Sequence, residues 1–541
     1  MILRRVYIYL VSIASLAVLA FGLSVLGQTF IVVYLHPPDY FFERTDMARY
    51  AATVVVALPV WAIHVGFAQR FALRDPAERG SALRRLYLYL ACAGSVITLA
   101  FTLLVVVSGA LQHQLDGGPY DRITLYGDVW VAIVFLAIWV LHYLIAAQDR
   151  AAVGERGASA TLRRWYMYIA LFVGLFMMLV GAQGAIQLVW VRSLHSTLFQ
   201  YLSLSSYLGA LVGGSALWGS HALILATRHV DDDRKSTLRA VEGFLAVGIC
   251  IVLALIGASQ ILYYAVARYL GVQGPGGFGD DLLAGLAQPA SSVVVYGVAW
   301  FLIRLRLARD AASGEAARQA GMRRLYTNLV ALVSMGALAV GAAILLGALA
   351  EAAEASIIGV PAPDWKDPVS LGATLLIVGL AVWLAHWRRV PWLEERLALS
   401  RRLYLWAVLL ASVLAVLGGA IGLLYVVFQQ TFSAQPQLRD TANLPFGQAL
   451  AVVVVAAAVG IYHWRVMRSD AAIRLAKAEP AEAPSRAPAP EASQPTAEPA
   501  IAGRQFELSV VGATEDDVHQ ALANLPPQAS YRLVPSHSAD N

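Results

Sequence analysis

Long apolar runs, bounded by arginine, succeed one another along most of the chain. They cover approximately 6–33 and 48–69, 86–111 and 127–147, 165–191 and 205–227, 241–267 and 287–305, 325–350 and 368–387, and 403–428 and 447–467. Each is longer than the roughly 18 apolar residues that mark a transmembrane helix. In lipid, every backbone amide must be satisfied within its own segment, so helices are expected. None of the runs alternates with the period of two that a barrel strand requires. The pattern predicts an all-α polytopic membrane protein with twelve transmembrane helices. At ~1.5 Å per residue, the first run of each pair outreaches a ~30 Å hydrocarbon core and should tilt or emerge into the headgroups.

The runs are punctuated by a recurring phrase. "LRRVYIYLV" (3–11) returns as "LRRLYLYLA" (83–91), "LRRWYMYIA" (162–170), "MRRLYTNLV" (322–330) and "SRRLYLWAV" (400–408). Its second arginines, Arg5, Arg85, Arg164, Arg324 and Arg402, are spaced by 80, 79, 160 and 78 residues. The doubled gap predicts a sixth copy near 240. "LRAVEGF" (238–244) fills it, with Glu242 in place of the first tyrosine. The second run of each pair ends in its own phrase: "WAIH" (61–64), "WVLH" (139–142), "WGSH" (218–221), "WLAH" (383–386) and "GIYH" (460–463). The fourth pair reads "YGVAWFLIRLR" (296–306), without histidine but with Arg304 and Arg306. The expectation is six helical hairpin repeats of about 80 residues, all in the same orientation.

Charge sets that orientation. The segments between repeats, with both ends of the membrane region, hold 30 Arg and Lys, against seven in the loops inside repeats. By the positive-inside rule both termini are cytoplasmic. Arg84 and Arg85, with their counterparts, are expected to meet anionic headgroups, and Tyr87 and Tyr89 to lie one turn deeper in the interfacial belt.

Within an antiparallel hairpin, early tyrosines and the late Trp-x-x-His fall at one depth. Trp139 and His142, three apart, share a helix face. The leading reading is a tryptophan anchor at the interface and a histidine hydrogen-bonded to a tyrosine hydroxyl. The alternative is haem ligation by His64, His142, His221, His386 and His463. Where Glu242 replaces tyrosine, the histidine is also lost. An ion pair from Glu242 to Arg304 or Arg306 is therefore expected, because an unpaired carboxylate there would be costly.

No Walker loop, dinucleotide fingerprint, CxxC, HExxH or nucleophile elbow occurs, so neither an enzyme, a cofactor nor a nucleic-acid partner is expected. Cys92 and Cys250 lie inside apolar runs and read as buried hydrophobes. Gly209 and Gly213, Gly336, Gly341 and Gly347, and Gly418 and Gly422 suit close helix packing. Gln28, Gln112, Gln183, Gln187, Gln260 and Gln429 sit toward the far ends of first helices, as interhelical bonds or as the lining of an external cavity. Residues 478–503 are an Ala/Pro/Glu spacer, and 504–541 read as a small β-α-β segment suited to contacting a protein partner.

The Arg-Arg-x-Tyr-x-Tyr start with the later Trp-x-x-His-(Trp)-Arg end resembles a bacterial membrane family, domain of unknown function 5671. "LRRLYLYLA" with "WVLHYL" (139–144), and "SRRLYLWAV" with "VWLAHWRR" (382–389), carry the resemblance best. It implies a four-helix unit, hence three in tandem at 1–157, 158–318 and 319–477, in the bacterial inner membrane and with no known activity. The function expected is a membrane scaffold. The alternatives are a transporter or channel for an uncoupled or lipid-like substrate, and the haem protein.

Overall fold

The computed structural model describes residues 2–35, 41–155, 157–228, 236–275, 281–312, 317–359, 361–387, 396–432 and 446–478. Regular structure among these residues is helical throughout, and twelve helices are long and apolar enough to cross a membrane. The chain is a multi-pass α-helical membrane protein. The helices are α1 (Ile2–Leu35), α2 (Phe41–Arg74), α3 (Ala82–Asp116), α4 (Arg122–Val153), α5 (Ala158–Ser193), α6 (Leu204–Arg228), α7 (Thr237–Tyr269), α8 (Ala287–Ala312), α9 (Ala317–Ile358), α10 (Lys366–Trp387), α11 (Leu399–Phe432) and α12 (Phe446–Ala478). Two short helices, Pro76–Arg79 and Leu282–Gly285, precede α3 and α8. The chain divides into two units, Met1–Ala478 and Glu479–Asn541, and the second lies outside the described residues. The expected β-α-β segment at 504–541 lies there too.

Most helices outrun the apolar runs that predict them. α2 adds a polar turn at each end of 48–69, and α9 extends 325–350 to Ala317–Ile358. Once a long helix exists, each added residue gains a backbone hydrogen bond, and Arg, Glu, Gln and Ala are good helix formers. Termination falls to local signals. α3 stops at Gly117, which takes the left-handed conformation (φ 68°) that favours glycine. α4 starts where the Asp121 side chain accepts from the Ile123 and Thr124 amides at 3.0 and 3.1 Å.

Each odd-numbered helix packs along the even-numbered helix that follows it. It also packs against the even helix of the next pair: α1 on α4, α3 on α6, α5 on α8, α7 on α10 and α9 on α12. Successive odd helices touch as well, from α1·α3 through to α9·α11. The principal contacts thus stay within a pair or link it to the next. α5, in mid-row, has half of its apolar window buried, whereas α2 has 11%. Side chains such as Val55 and Val56, 70% and 66% exposed, form an apolar exterior that suits lipid.

Glycine permits the closest approaches. A methyl group at Gly209 would lie 2.3 Å from the Leu104 carbonyl oxygen, and one at Gly213 would lie 2.4 Å from that of Ala100. α6 and α3 therefore meet backbone to backbone, as small-xxx-small spacing allows. Gly341 approaches the Leu376 amide of α10 in the same way, at 2.5 Å. Gly336 and Gly418 differ from the expectation: both face open space, because they lie on helix faces that nothing covers. Gly213→Ala should therefore destabilise by about 1–3 kcal/mol through forced backbone movement. Gly219→Ala, with nothing within 4 Å, should be neutral or stabilising by up to ~1 kcal/mol. Unfolding by SDS in mixed micelles measures both, and equal effects would remove the close-approach account.

Candidate functional site

Tyr87 lies one turn into α3, and His142 near the end of α4. The antiparallel packing brings them together: the Tyr87 hydroxyl and His142 Nε2 are 2.9 Å apart. Tyr166 meets His221 at 2.7 Å, and Tyr404 meets His463 at 2.9 Å. The other ring nitrogen of each histidine, Nδ1, bonds the carbonyl four residues earlier, Ile138, Leu217 or Val459, at 2.8–2.9 Å. A carbonyl can only accept, so Nδ1 carries the proton and Nε2 accepts from the phenol. The hydroxyl's own acceptor capacity is used by the preceding pair. Trp61 donates to Tyr87 at 3.1 Å, Trp139 to Tyr166 at 2.9 Å and Trp383 to Tyr404 at 3.0 Å. Each is a relay, indole to phenol to imidazole to carbonyl, that crosses from one helix pair to the next.

This corrects two sequence expectations. The relay tryptophans spend their N–H groups inside the protein, and Tyr87, Tyr89, Tyr166 and Tyr404 are buried. They do not form an interfacial belt, because donor and acceptor satisfy one another across the junction and need no headgroup. Arg84 and Arg85 are likewise buried, 2% and 0% exposed, and do not meet lipid phosphate. Arg84 Nε reaches Asp149 Oδ2 at 2.6 Å. Arg85 Nη1 donates to the Ala146 carbonyl at 3.0 Å and lies 3.4 Å from Glu155. Glu155 also takes Arg163 of α5 at 2.9 Å and the Tyr89 hydroxyl. The Tyr89 ring stacks on Tyr166, centroids 5.8 Å apart.

The ion pairs recur beneath the relays. Arg401 pairs with Asp470 at 2.7 Å, and Arg239 with Asp310 at 2.7 Å. Arg4 and Arg5 share Glu78, at 2.8 and 2.9 Å. Sequence reasoning missed the acidic partners, although a signal exists. Asp149 and Asp470 fall seven residues after His142 and His463, and Asp310 seven after Ile303, the residue at the histidine position of α8. Seven residues is about two helical turns, so imidazole and carboxylate share a face. Removing one partner of such a buried pair typically costs about 3–5 kcal/mol.

The remaining pairs vary the layer. In the first, Tyr7 is 60% exposed and its ring packs edge-on against His64, centroids 5.6 Å apart. In the fourth, Arg306 Nη2 donates to Glu242 Oε2 at 2.5 Å. Arg304, the other candidate, lies instead over the Trp300 ring, 5.3 Å from its centroid. Ile303 is buried in the apolar core at the place of the missing histidine. In the fifth, Tyr326 and His386 stand with ring centroids 6.4 Å apart. The sixth carries Gly460 where the others carry the donor tryptophan.

Among the described residues, no group of three or more His, Cys, Asp or Glu could hold a metal ion. Cys92 and Cys250 are buried free thiols. His142, His221 and His463 have both ring nitrogens engaged, so none of the three presents an unused ligand atom.

Residues 5–123 and 324–458 match the model of a family described as a domain of unknown function, DUF5671. These two stretches are similar to that family. The first takes in α1 to α3, and the second runs from early α9 into α12. Each begins at the second arginine of the recurring phrase, Arg5 or Arg324. No characterised protein and no solved structure matches the chain. Within the matched stretches lie the Trp61 donor, Tyr87, and the Trp383–Tyr404 half of the last relay, so the matched sequence includes residues that join one pair to the next.

Tyr87→Phe should destabilise by about 1–2 kcal/mol, since it strands one donor and one acceptor. Tyr7→Phe, at the exposed counterpart, should change stability by less than about 0.5 kcal/mol. SDS-induced unfolding in micelles distinguishes the two, and equal losses would mean that the relay contributes nothing.

Proposed function

We propose that this chain is a membrane scaffold of six similarly oriented hairpin repeats, and neither an enzyme nor a carrier. The observation that supports it most is the recurrent relay from Trp of one pair to Tyr and His of the next, which ties neighbours into one row. A carrier must repack its helices between states, and buried hydrogen bonds and ion pairs at three of five junctions oppose such movement. The spacing of the arginine phrase supports the repeat, and two repeats would make one four-helix unit, three in tandem. The positive-inside rule puts the arginine-bearing ends and both termini in the cytoplasm, in the bacterial inner membrane that the family resemblance implies. On this reading residues 504–541 serve as a cytoplasmic contact segment.

Two measurements test the reading together. Single cysteines at Ala77 and Leu399, in a chain whose own two cysteines are replaced, should react from the cytoplasmic side. Cysteines at Gly118 and Asp364 should react from outside. Labelling of Ala77 and Leu399 positions from opposite sides would end the common orientation. Proteoliposomes should show no uptake of protons, potassium or small sugars above protein-free vesicles, and a saturable flux would replace the scaffold with a carrier.

A further inference from the structure

The junction between the fourth and fifth pairs is where the relay fails without replacement. Tyr326 and His386 stand apart, and the Trp300 N–H does not reach the Tyr326 hydroxyl in hydrogen-bonding geometry. A cavity of about 890 Å³ opens there, between α7, α8, α9 and α10. It has two unlike walls.

One wall is cationic. Arg239, Arg304, Arg323, Arg324 and Arg401 line it, and Asp310 is the one carboxylate among its described lining residues. Arg239 is held by Asp310, and Arg401 by Asp470. Arg304 is exposed, and its guanidinium carbon lies over the Trp300 ring, 5.3 Å from the centroid; among the described residues no carboxylate is within ion-pairing distance of it. The Tyr326 and His386 rings and the Asn328 side chain add polar groups beside it. His386 Nδ1 is engaged by the Val382 carbonyl at 2.9 Å, which leaves its Nε2 as an acceptor toward this space.

The other wall is apolar. Phe244, Val247, Ile251 and Leu255 of α7 line it, and their spacing puts them on one helix face. From the first to the last this track runs ~16 Å along α7, away from the arginines and toward the far side of the helix row. The cavity thus joins a positive head to a greasy groove, in a protein whose solvent is lipid.

We propose that this cavity binds a phosphate-bearing amphiphile, its oxyanion at Arg304 and its acyl chain along the α7 track. Guanidinium is suited to the role, since its fixed fork pairs with phosphate oxygens and Trp300 lies beside it. Basic pockets between transmembrane helices are a recognised way to hold anionic lipid heads. The apolar track is what separates an amphiphile from a free phosphate, which has nothing to place there. The site does not depend on the scaffold reading; a carrier with this cavity would bind the same molecule.

The experiment uses the full-length purified chain in a neutral detergent, with thermal unfolding as the readout. Dioleoyl phosphatidic acid in mixed micelles should raise the melting temperature saturably. Dioleoyl phosphatidylcholine and dioleoylglycerol should not, and inorganic phosphate should act at least about tenfold more weakly. Arg304→Gln should weaken the phosphatidic acid effect by about tenfold or more. Arg309→Gln removes the same charge from α8 outside the cavity, and should leave the effect unchanged. Ile251→Trp, at a partly exposed position of the track, fills it without altering charge and should also abolish the effect. Melting of each variant without lipid reports whether it folds. Equal weakening by Arg304→Gln and Arg309→Gln would overturn the proposal in favour of non-specific charge attraction. Inorganic phosphate as potent as phosphatidic acid, with Ile251→Trp inert, would overturn it in favour of a plain oxyanion site.

Discussion

A polar side chain withdrawn from water into a membrane protein must find its partner within the protein, because lipid supplies none. That constraint organises one layer of this molecule, at the arginine-bearing ends of its helices. Indole, phenol and imidazole groups there satisfy one another in a fixed order, and arginines close on Asp149, Glu155, Asp310 and Asp470. Since each indole donor sits on one helix pair and the phenol that accepts from it on the next, satisfying these groups and joining the pairs are the same event. The apolar remainder of each helix, which has little preference between lipid and protein, is positioned by this layer and by the glycine contacts of α6 with α3 and of α9 with α10.

The fourth pair shows the constraint acting on a changed sequence. Replacing a neutral phenol by Glu242 puts a carboxylate into a buried layer. A histidine there would have no phenol to accept from, and Ile303 takes its place, within the apolar core. Arg306, three residues on, reaches back to the carboxylate. Two positions on one helix and one on its partner thus change together, and the outcome is a different polar contact with no empty layer. At the next junction Tyr326 and His386 are both kept yet stand apart, and the space between the pairs is a cavity. The row is held by relays at both ends and opens into a cavity at this junction.

Much of this was legible in the chain. Run length gave the helices, because a lipid solvent leaves no other secondary structure for such segments. The recurring phrases put tyrosine and histidine at one depth, and the joint departure at 242 and 303 pointed to an ion pair. What the linear pattern hid was direction. A run of Arg-Arg-x-Tyr near a membrane surface reads as headgroup contact when each helix is considered alone. It becomes buried once its own hairpin partner and the neighbouring pair pack against it. Only the three-dimensional packing shows that Arg85 is enclosed, bonded to Ala146 of α4 and beside Glu155, and that Trp139 reaches forward to Tyr166 and not outward to lipid. Arg304 and Arg306 were equivalent candidates by sequence, separated only by which face of α8 meets Glu242.

The central claim is that the three aromatic groups act as one unit across a junction. A double-mutant cycle on Trp383→Phe and His463→Phe, measured by reversible unfolding in mixed micelles, tests it most directly, since the two side chains communicate through Tyr404. The account predicts that the second substitution costs less once the first is made, with a coupling of about 0.5–1.5 kcal/mol. Strictly additive losses would contradict it and reduce the relay to two unrelated contacts.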